Sequence, residues 1–356
     1  MTVPQPRIWE EPVRGFYAES ADFLRYSGLE IMQRFLDGHR LPPPIYYLTG
    51  MHPTAVAPGT STFIIPSTEW LLSPQGVVAG STLALLVDGP LGSAVQTALP
   101  EATPYTTAEM SLSYVRRVPL GPTLTSTATR VHAGNTVGIA DGTVVDDAGN
   151  LIATCSTRCV VLPRMPAPAN NGETATASED NAPSEPDWPS PHPFQRPVAG
   201  ALFDPDQLRT LTGLEALRAC VDGSQPPPPI SNLCGIFPIE ADEGHTVWTM
   251  PASEWLCAPI RGRLYGGAIA YLAGTAIDGA AQSVAPTALG FAPVDLKVYF
   301  LRPVVPDGRA MTATSTLVHR GRTVVVATAM LHDADGKHVA VAVGSALIRS
   351  PKAAAA

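Results

Sequence analysis

Charge is scarce in this sequence, and basic charge is scarcer than acidic. Only 15% of the 356 residues are charged, and 31 acidic side chains against 23 basic ones give a net charge of −8. A chain without a basic excess is not expected to bind nucleic acid, whose phosphates require a positive surface. Hydrophobic residues make up 45% of the chain, which is typical of a globular protein with a substantial core.

Long apolar runs are also lacking. The longest candidate, residues 83–95, is interrupted by Asp88, Gly89 and Pro90, and it is shorter than the roughly 20 residues that span a membrane. The first residues, MTVPQPRIWEEPV, lack the charged and apolar regions of a signal peptide. These absences predict a cytoplasmic protein with no membrane partner.

Cysteines are few and are not spaced as metal ligands or as a disulfide framework. The chain has five, an odd number, at positions 155, 159, 220, 234 and 257. We expect free, buried thiols in a reducing compartment. The sequence also contains no His, Cys and carboxylate cluster with ligand spacing, so neither a metal nor a redox cofactor is expected.

The sequence does contain a long internal repeat. Four motifs recur 185–187 residues apart: Gly28-Leu29-Glu30 as Gly213-Leu214-Glu215, Pro42–Ile45 as Pro227–Ile230, Glu69-Trp70 as Glu254-Trp255, and V-H-x-G-x-T at Val131 and Val318. Solenoid repeats have periods of about 20–50 residues, so this period indicates a duplicated domain. Because the copies can be compared, a chemical difference between them shows which copy can work.

The repeat and the composition divide the chain into four parts. We predict a first domain with an N-terminal helix over 1–163, a linker over 164–204, a second domain over 205–350 and a tail over 351–356. The linker is rich in Pro, Ala, Ser and acidic residues, which cannot bury enough apolar surface to form a core. It is expected to be extended where proline is dense.

Both copies show the same order of elements, and the order predicts an α+β fold. A short amphipathic helix, a proline cluster and two short strands precede a glycine turn and a long apolar stretch. That stretch, 81–99 and 268–284, has apolar residues on all sides and predicts a buried helix. Four alternating runs then predict a curved antiparallel sheet around the helix: 107–116, 122–131, 136–146 and 151–162, repeated at 293–302, 309–318, 323–333 and 338–348.

This order of motifs, with Y-T-T-x-E-x-x-x-x-Y at Tyr105–Tyr114, resembles the hotdog fold. More closely, it resembles the acyl-CoA thioesterases of the phenylacetate-pathway (PaaI-like) type. The resemblance implies that hotdog domains pair back to back into one sheet, with active sites at the interface. A tandem chain would then form its own pseudo-dimer, since linkage raises the effective concentration of the partner domain. Assembly of such tandem units into a homo-oligomer is compatible with this arrangement.

The family's helix motif is N-P-x-G-x-x-H-G-G, followed by an Asp nine residues after the His. In copy one, Ala79 replaces the His, Gly80 matches the oxyanion glycine and Asp88 matches the catalytic carboxylate. In copy two, the corresponding residues are Tyr265, Gly266 and Gly274, so the carboxylate is missing. The family's assisting Ser or Thr on the next strand corresponds to Thr107 in copy one and to Pro293 in copy two.

The resemblance implies two unequal sites, because carboxylate and oxyanion glycine come from opposite domains. The first combines Asp88 as base or nucleophile, Thr107 as a positioning hydroxyl and the Gly266 N–H as oxyanion donor. Helix-terminal N–H groups suit that last role. The second would combine Gly274, Pro293 and Gly80, with no acid, base or nucleophile. We expect one active and one inactive site.

Other residues have weaker assignments, and alternatives remain for the strong ones. Asp88-Gly89-Pro90 also fits a helix break in which Asp88 caps the second half, and Thr107 also fits plain β propensity. The substrate-binding candidates are Gly80, Ser81, Ser73, Tyr265 and Gly267, together with Arg320 and Arg322 in a predicted hairpin turn, which can reach coenzyme A phosphates or be an ordinary solvated turn.

The function that the resemblance implies is hydrolysis of an acyl thioester, with an acyl-CoA as the expected small-molecule substrate. Coenzyme A enters only as part of that substrate. One alternative is a non-catalytic hotdog protein that binds acyl-CoA or another apolar ligand. Another is a hydratase or dehydratase, which needs a histidine on the central helix, and residues 77–98 contain none.

Overall fold

The computed structural model describes residues 7–17, 20–166, 184–258 and 262–349. The predicted tail and residues 167–183 of the predicted linker lie outside these ranges. Copy one has the helices α1 (Ser20–Arg25), α2 (Gly28–Leu36), α3 (Pro44–Thr49) and α4 (Leu83–Gln96). Its strands are β1 (His52–Ala57), β2 (Thr60–Pro66), β3 (Tyr105–Tyr114), β4 (Thr123–Ala133), β5 (Val137–Val145) and β6 (Leu151–Val161).

Copy two repeats this series. Its helices are α5 (Pro205–Thr210), α6 (Gly213–Val221), α7 (Pro229–Cys234) and α8 (Gly266–Ser283). Its strands are β7 (Phe237–Asp242), β8 (His245–Pro251), β9 (Phe291–Phe300), β10 (Ala310–Arg320), β11 (Val324–His332) and β12 (His338–Ile348). The predicted central helices and strands are all found within a few residues of their expected bounds.

The repeated Gly-Leu-Glu motif has a structural explanation at the start of α2 and α6. Glu30 closes a capping box with Ser27, and Glu215 does the same with Thr212. These reciprocal bonds satisfy N–H groups that a helix start leaves without partners. A Cβ on Gly28 would lie 1.9 Å from the Gln96 carbonyl oxygen, so only glycine permits α2 to approach α4 this closely.

The central helix of copy one is continuous. Helix α4 runs through Pro90 without interruption, although proline cannot donate the usual helical hydrogen bond. The alternative in which Asp88 caps a second half-helix is therefore wrong. The helix is held by packing on all sides, since nearly every residue from Leu83 to Val95 is buried.

All twelve strands form one antiparallel sheet in the order β1-β2-β4-β5-β6-β3-β9-β12-β11-β10-β8-β7. The two copies meet at its centre, where Leu112 of β3 lies opposite Leu296 of β9. Buried Glu109 of β3 pairs there with Lys297 of β9, at 3.6 Å, and with Arg158 of β6. The hotdog fold and the intrachain pseudo-dimer expected from the resemblance are confirmed. We call the line along which α4 and β3 meet α8 and β9 the seam.

Helices α4 and α8 pack against each other and against this sheet. A Cβ on Gly267 would lie 2.4 Å from the Ala84 carbonyl oxygen, and one on Gly274 would lie 2.8 Å from Ser81 Cβ. Glycines at both positions let the two helix backbones come into contact. As a result, the first turn of each helix lies beside the middle of the other.

Each copy also receives a segment from outside its predicted domain. We call residues 7–17 the first arm and residues 190–204 the second arm. Trp255 Nε1 of copy two donates to the Glu11 carbonyl at 3.0 Å, and Trp70 Nε1 of copy one donates to the Arg196 carbonyl at 3.1 Å. Glu11 and Arg196 are 185 residues apart and form an ion pair with each other at 2.7 Å.

The arms are thus exchanged between the copies, and the Glu-Trp motif supplies the tryptophan that fixes each one. They are also a part of the repeat that the sequence analysis did not recognise, since Pro12-Val13 and Gly15 return as Pro197-Val198 and Gly200. The last part of the predicted linker is accordingly bound to copy one by defined hydrogen bonds. Across the described ranges, no helix is both long and apolar enough to cross a membrane.

Candidate functional site

The seam brings the carboxylate of one copy to the helix start of the other. Asp88 is only 7% exposed. Its Oδ2 accepts a hydrogen bond from the Gly267 N–H at 2.8 Å, and its Oδ1 accepts one from Thr107 Oγ1 at 3.1 Å. Of the groups predicted for the first site, Asp88 and Thr107 are therefore in contact and Gly266 lies next to them, but the N–H that Asp88 accepts belongs to Gly267, which was predicted only to bind substrate.

The two glycines of this junction have different tasks. The Gly267 N–H is bound to Asp88, whereas the Gly266 N–H, the first of helix α8, has no acceptor among the described residues. A Cβ on Gly266 would lie 2.8 Å from Asp88 Oδ2, which places this free donor directly beside the carboxylate. A free N–H at a helix N-terminus is suited to accept negative charge on a substrate oxygen.

Burial changes the acid–base chemistry of Asp88. Loss of solvent raises its pKa from 3.8 to about 6, although the hydrogen bonds from Gly267 and Thr107 act in the opposite direction. Desolvation dominates because a buried carboxylate loses the hydration that stabilises its charge. A carboxylate with this pKa is largely ionised at neutral pH and is a stronger base than an exposed aspartate.

A pocket of about 180 Å³ opens beside Asp88, and both copies form its walls. Copy one supplies mostly apolar and aromatic side chains from α1, α2 and the sheet, whereas copy two supplies the segment before α8. The lining residues are Phe23, Ile31, Met32, Phe35, Arg40, Tyr46, Phe63, Asp88, Gly89, Ser93, Gln96, Tyr105, Thr106, Thr107, Ala258, Arg263, Leu264, Tyr265 and Gly266. A small apolar pocket with a few polar groups is typical of a binding site for a small molecule.

Tyr265, predicted to shape the pocket, is part of its wall. The side chain is 7% exposed, and within the described ranges its hydroxyl has no partner with hydrogen-bond geometry. The pKa of Tyr265 is well above the usual value because the ring is buried and the Asp88 charge is near. It is therefore a neutral phenol, available as a donor next to Gly89.

The predicted phosphate-binding arginines are not at this pocket. Arg320 pairs with Glu243 on the surface, and the turn containing Arg322 leads into Val325, which packs on Ala281 near the end of α8. Gly266 begins that helix, about 22 Å from Ala281, because 15 residues at 1.5 Å each separate the two. Exposed Arg263 lies at the pocket instead. The sequence signal for Arg263 was its position two residues before Tyr265, which stands where the family motif has its histidine.

The equivalent position on the other side of the seam is built differently. Gly80 faces the ring of Tyr114, whose Cε1 would lie 3.2 Å from a Cβ on that glycine. Ser81, predicted to bind substrate, is fully buried and its Oγ lies 3.3 Å from Thr275 Oγ1. Ser73 also has a buried hydroxyl without a partner, but it is Ala258, its counterpart in copy two, that lines the Asp88 pocket.

A carboxylate missed in the sequence analysis stands at this second position. Asp278 lies one helical turn after Gly274. Burial raises its pKa from 3.8 to about 7, and the adjacent Ser81 hydroxyl lowers it. The described part of the seam therefore contains two carboxyl groups with raised pKa values, buried Asp88 and half-buried Asp278, although the family motif identifies only Asp88. Spacing alone did not reveal Asp278, because it is displaced by four residues from the motif position.

Two family models match the chain, one in each copy. The model described as "Acyl-CoA thioesterase C-terminal domain" matches residues 56–161, and the model described as "Thioesterase superfamily" matches residues 261–340. Together they cover just over half of the chain. No curated protein matches the sequence with significance.

Several solved structures are similar to this one. An acyl-CoA thioesterase II, TesB2, from Mycobacterium marinum is 12% identical with a TM-score of 0.50, and the alignment covers 86% of this chain and 99% of that one. A protein with a hot dog fold from Alicyclobacillus acidocaldarius is 13% identical with a TM-score of 0.51, covering 84% and 96%. The PaaI protein of Escherichia coli is 29% identical with a TM-score of 0.30, covering 34% and 83%.

At 12–13% identity, the two long alignments show the fold, and the family models show the kind of domain. The models match both halves of a chain whose halves close one continuous sheet. The chain therefore belongs to the thioesterase superfamily, as a tandem hotdog thioesterase.

Proposed function

We propose that the pocket at Asp88 hydrolyses an acyl-CoA, with Asp88 as the general base. The observation that carries this proposal is the arrangement around one buried carboxylate. Asp88 is held by Thr107 of its own copy and by the Gly267 N–H of the other copy, and the free Gly266 N–H lies next to it. A base and an oxyanion donor that face one apolar pocket are what thioester hydrolysis requires.

The reaction follows from these positions. Asp88 takes a proton from a water molecule, and the oxygen of that water attacks the thioester carbonyl carbon. The carbonyl oxygen becomes negative and accepts the Gly266 N–H, where the dipole of α8 favours negative charge. Collapse breaks the carbon–sulfur bond, and the proton held by Asp88 goes to the departing thiolate. The products are a carboxylic acid and free coenzyme A.

Thr107 acts on Asp88 rather than on the substrate in this scheme. Its hydroxyl occupies Oδ1, and the Gly267 N–H occupies Oδ2, so the carboxylate has a fixed plane. None of the lining residues is a histidine, which disfavours the hydratase or dehydratase alternative. The scheme uses only groups of the chain itself.

The second seam position is proposed to be inactive. Gly80 is covered by the Tyr114 ring, so a substrate oxygen has no clear approach to the N–H groups at the start of the helix. Asp278 stands one turn away from the catalytic position, and only the Ser81 hydroxyl lowers its pKa, whereas Asp88 accepts both the Thr107 hydroxyl and the Gly267 N–H. The residue of copy two that corresponds to Thr107 is Pro293, which has no hydroxyl to fix a carboxylate.

The direct test is release of free thiol from a panel of acyl-CoAs of different chain lengths. We expect turnover of at least one member, with equal amounts of acid and coenzyme A formed. Tight binding of the panel without any thiol release would support the non-catalytic alternative and contradict the proposal.

The dependence of kcat/KM on pH should follow the ionisation of Asp88. The base must be ionised, so kcat/KM is expected to be flat above pH 7 and to fall about tenfold per pH unit below the pKa of about 6. Initial rates from pH 4.5 to 9 with a short acyl-CoA measure this, with unfolding monitored by fluorescence over the same range. A profile that stays flat to pH 4.5 in folded protein would mean that Asp88 is not the base.

Arg263 is expected to contact the coenzyme A portion of the substrate at the mouth of the pocket. Arg263→Ala should raise KM for an acyl-CoA about tenfold at low salt and less at high salt, because exposed charge pairs are screened. The same acyl group on N-acetylcysteamine, which lacks the nucleotide, should show no change. Arg322→Ala is the matched control and should leave both substrates unaffected. Equal losses with both thioesters would contradict this assignment.

A further inference from the structure

The pocket contains a buried cation that the proposed chemistry does not use. Arg40 follows α2 and lines the same pocket as Asp88, yet its side chain is only 6% exposed. Among the residues that the structure describes, neither Nη1 nor Nη2 finds a hydrogen-bond partner. Its closest charged partner is Asp22, whose Oδ2 lies 3.1 Å from Nη2 without hydrogen-bond geometry.

The surroundings of Arg40 do not explain its burial. Its guanidinium lies 5.0 Å from the centre of the Phe35 ring and 5.8 Å from that of Phe23, both of which line the pocket. Rings hold a cation by their faces, but they accept no N–H groups in the way that oxygen atoms do. Buried donors in folded proteins nearly always have an acceptor, so donors without one, at a pocket wall, indicate an acceptor on a ligand.

The local charge favours an anionic ligand. Burial lowers the pKa of Arg40 most, Asp22 raises it to a smaller extent, and Arg34 lowers it to a still smaller extent. Arg40 and Arg34 carry two positive charges and Asp22 one negative charge, so these three groups together are positive, and the pocket's other carboxylate, Asp88, is not among the groups that shift the pKa of Arg40. A guanidinium binds carboxylates through paired N–H groups better than any other side chain does.

We infer that Arg40 selects acyl groups that end in a carboxylate, so that the substrates are CoA thioesters of short dicarboxylic acids. This inference rests on the proposed function of the Asp88 pocket and names its substrate class. The thioester end would lie at Asp88 and Gly266, the methylene chain against Ile31, Met32 and the aromatic rings, and the free carboxylate at Arg40. A cavity of about 180 Å³, below the roughly 300–1,000 Å³ of sites for drug-sized ligands, suits a short chain.

Paired substrates test the inference. Succinyl-, glutaryl- and adipoyl-CoA are compared with butyryl-, pentanoyl- and hexanoyl-CoA, which have the same lengths but no terminal carboxylate. The unmodified enzyme should favour at least one dicarboxylic member over its partner by about tenfold or more in kcat/KM. Arg40→Met should lower kcat/KM for that substrate about 100-fold, because a site built for a polar group strongly discriminates against loss of its partner. The uncharged partner should stay within about threefold.

Controls separate this inference from general damage and from failure of the proposed function. Arg34→Met removes a nearby positive charge that does not line the pocket, and it should leave the substrate ratio within about threefold. If Arg40→Met does not fold, Asp22→Asn is used instead. It frees Nη2 from its carboxylate and should increase the preference for the dicarboxylic member.

The two possible failures have different results. Absence of thiol release from every acyl-CoA would overturn the proposed function. Turnover in which uncharged chains are preferred at each length, or in which Arg40→Met slows both members of a pair equally, would overturn the role of Arg40 alone. Binding provides an independent readout, because the free dicarboxylic acid should raise the Tm of the unmodified protein and not that of Arg40→Met.

Discussion

Replacing Asp88 with Asn is expected to lower kcat/KM for acyl-CoA hydrolysis by about 1,000-fold, within the range that general base catalysis supplies. The amide has nearly the same shape, and its oxygen can still accept the Gly267 N–H that Asp88 accepts at 2.8 Å. It cannot take a proton from water. Thiol release with a short acyl-CoA, measured at pH 7.5, gives the comparison.

Asp278→Asn is the matched control for this variant. Asp278 is also a seam carboxyl whose pKa is raised by burial, to about 7, so the substitution removes the same chemical group from the equivalent region of the other copy. We expect activity within about twofold of the unmodified enzyme. If Asp278→Asn is as inactive as Asp88→Asn, the activity needs both carboxyl groups, and the assignment of Asp88 as the sole catalytic carboxylate is wrong.

The Asp88→Asn variant should also be more stable than the unmodified protein at neutral pH. The folded protein holds the Asp88 proton more tightly, since the pKa rises from 3.8 to about 6. The contribution of Asp88 to the free energy of unfolding is therefore fully present below pH 3.8 and is lost as the pH rises through about 6. A difference of about two pKa units corresponds to about 3 kcal/mol in the free energy of unfolding at pH 7. Urea unfolding at pH 4 and pH 7 should show a gain that is confined to the higher pH.

Gly266→Ala is expected to reduce kcat/KM by about 100-fold or more, comparable to the loss of an oxyanion donor. The added Cβ would lie 2.8 Å from Asp88 Oδ2, closer than such atoms can approach. The carboxylate must therefore move away from the free N–H of residue 266. The fold should survive, because the clash involves the end of a side chain. Kinetics and circular dichroism of the purified variant test both expectations.

Gly80→Ala places the same methyl group at the equivalent glycine of copy one. There the added Cβ would meet the Tyr114 ring at 3.2 Å, and no carboxylate is displaced. We expect near-normal activity. An equal loss in the two alanine variants would show that both helix starts bind substrate oxygen, contrary to the assignment of one working site.

The repeat made the fold and the centre of the site readable from sequence. The residues of copy two that correspond to Asp88 and Thr107 are Gly274 and Pro293, which have different chemistry. The asymmetry was therefore visible without coordinates. Their meeting with Gly266 followed from the resemblance, because the pairing of two hotdog domains determines which helix start faces which carboxylate.

The rest of the pocket could not be read in the same way. Arg40 and Arg263 come from segments more than 200 residues apart, and only the packing of the two copies along the seam places them at one pocket. Arg320 and Arg322 looked equally suitable by composition, but they lie in a turn near the far end of α8. The phosphate-binding prediction depended on residue type alone. The two arginines are far from the pocket because the length of α8 separates them from it.

The exchanged arms change what the covalent connection between the copies must do. Glu11 and Arg196 lie at corresponding places in the repeat, and each arm is anchored by the indole of the opposite half. Neither half alone contains all the backbone that covers its tryptophan. A cut between residues 166 and 184 would thus leave two fragments that remain associated through their exchanged arms. Each fragment produced separately would lack the arm that binds its tryptophan, because that arm belongs to the other fragment.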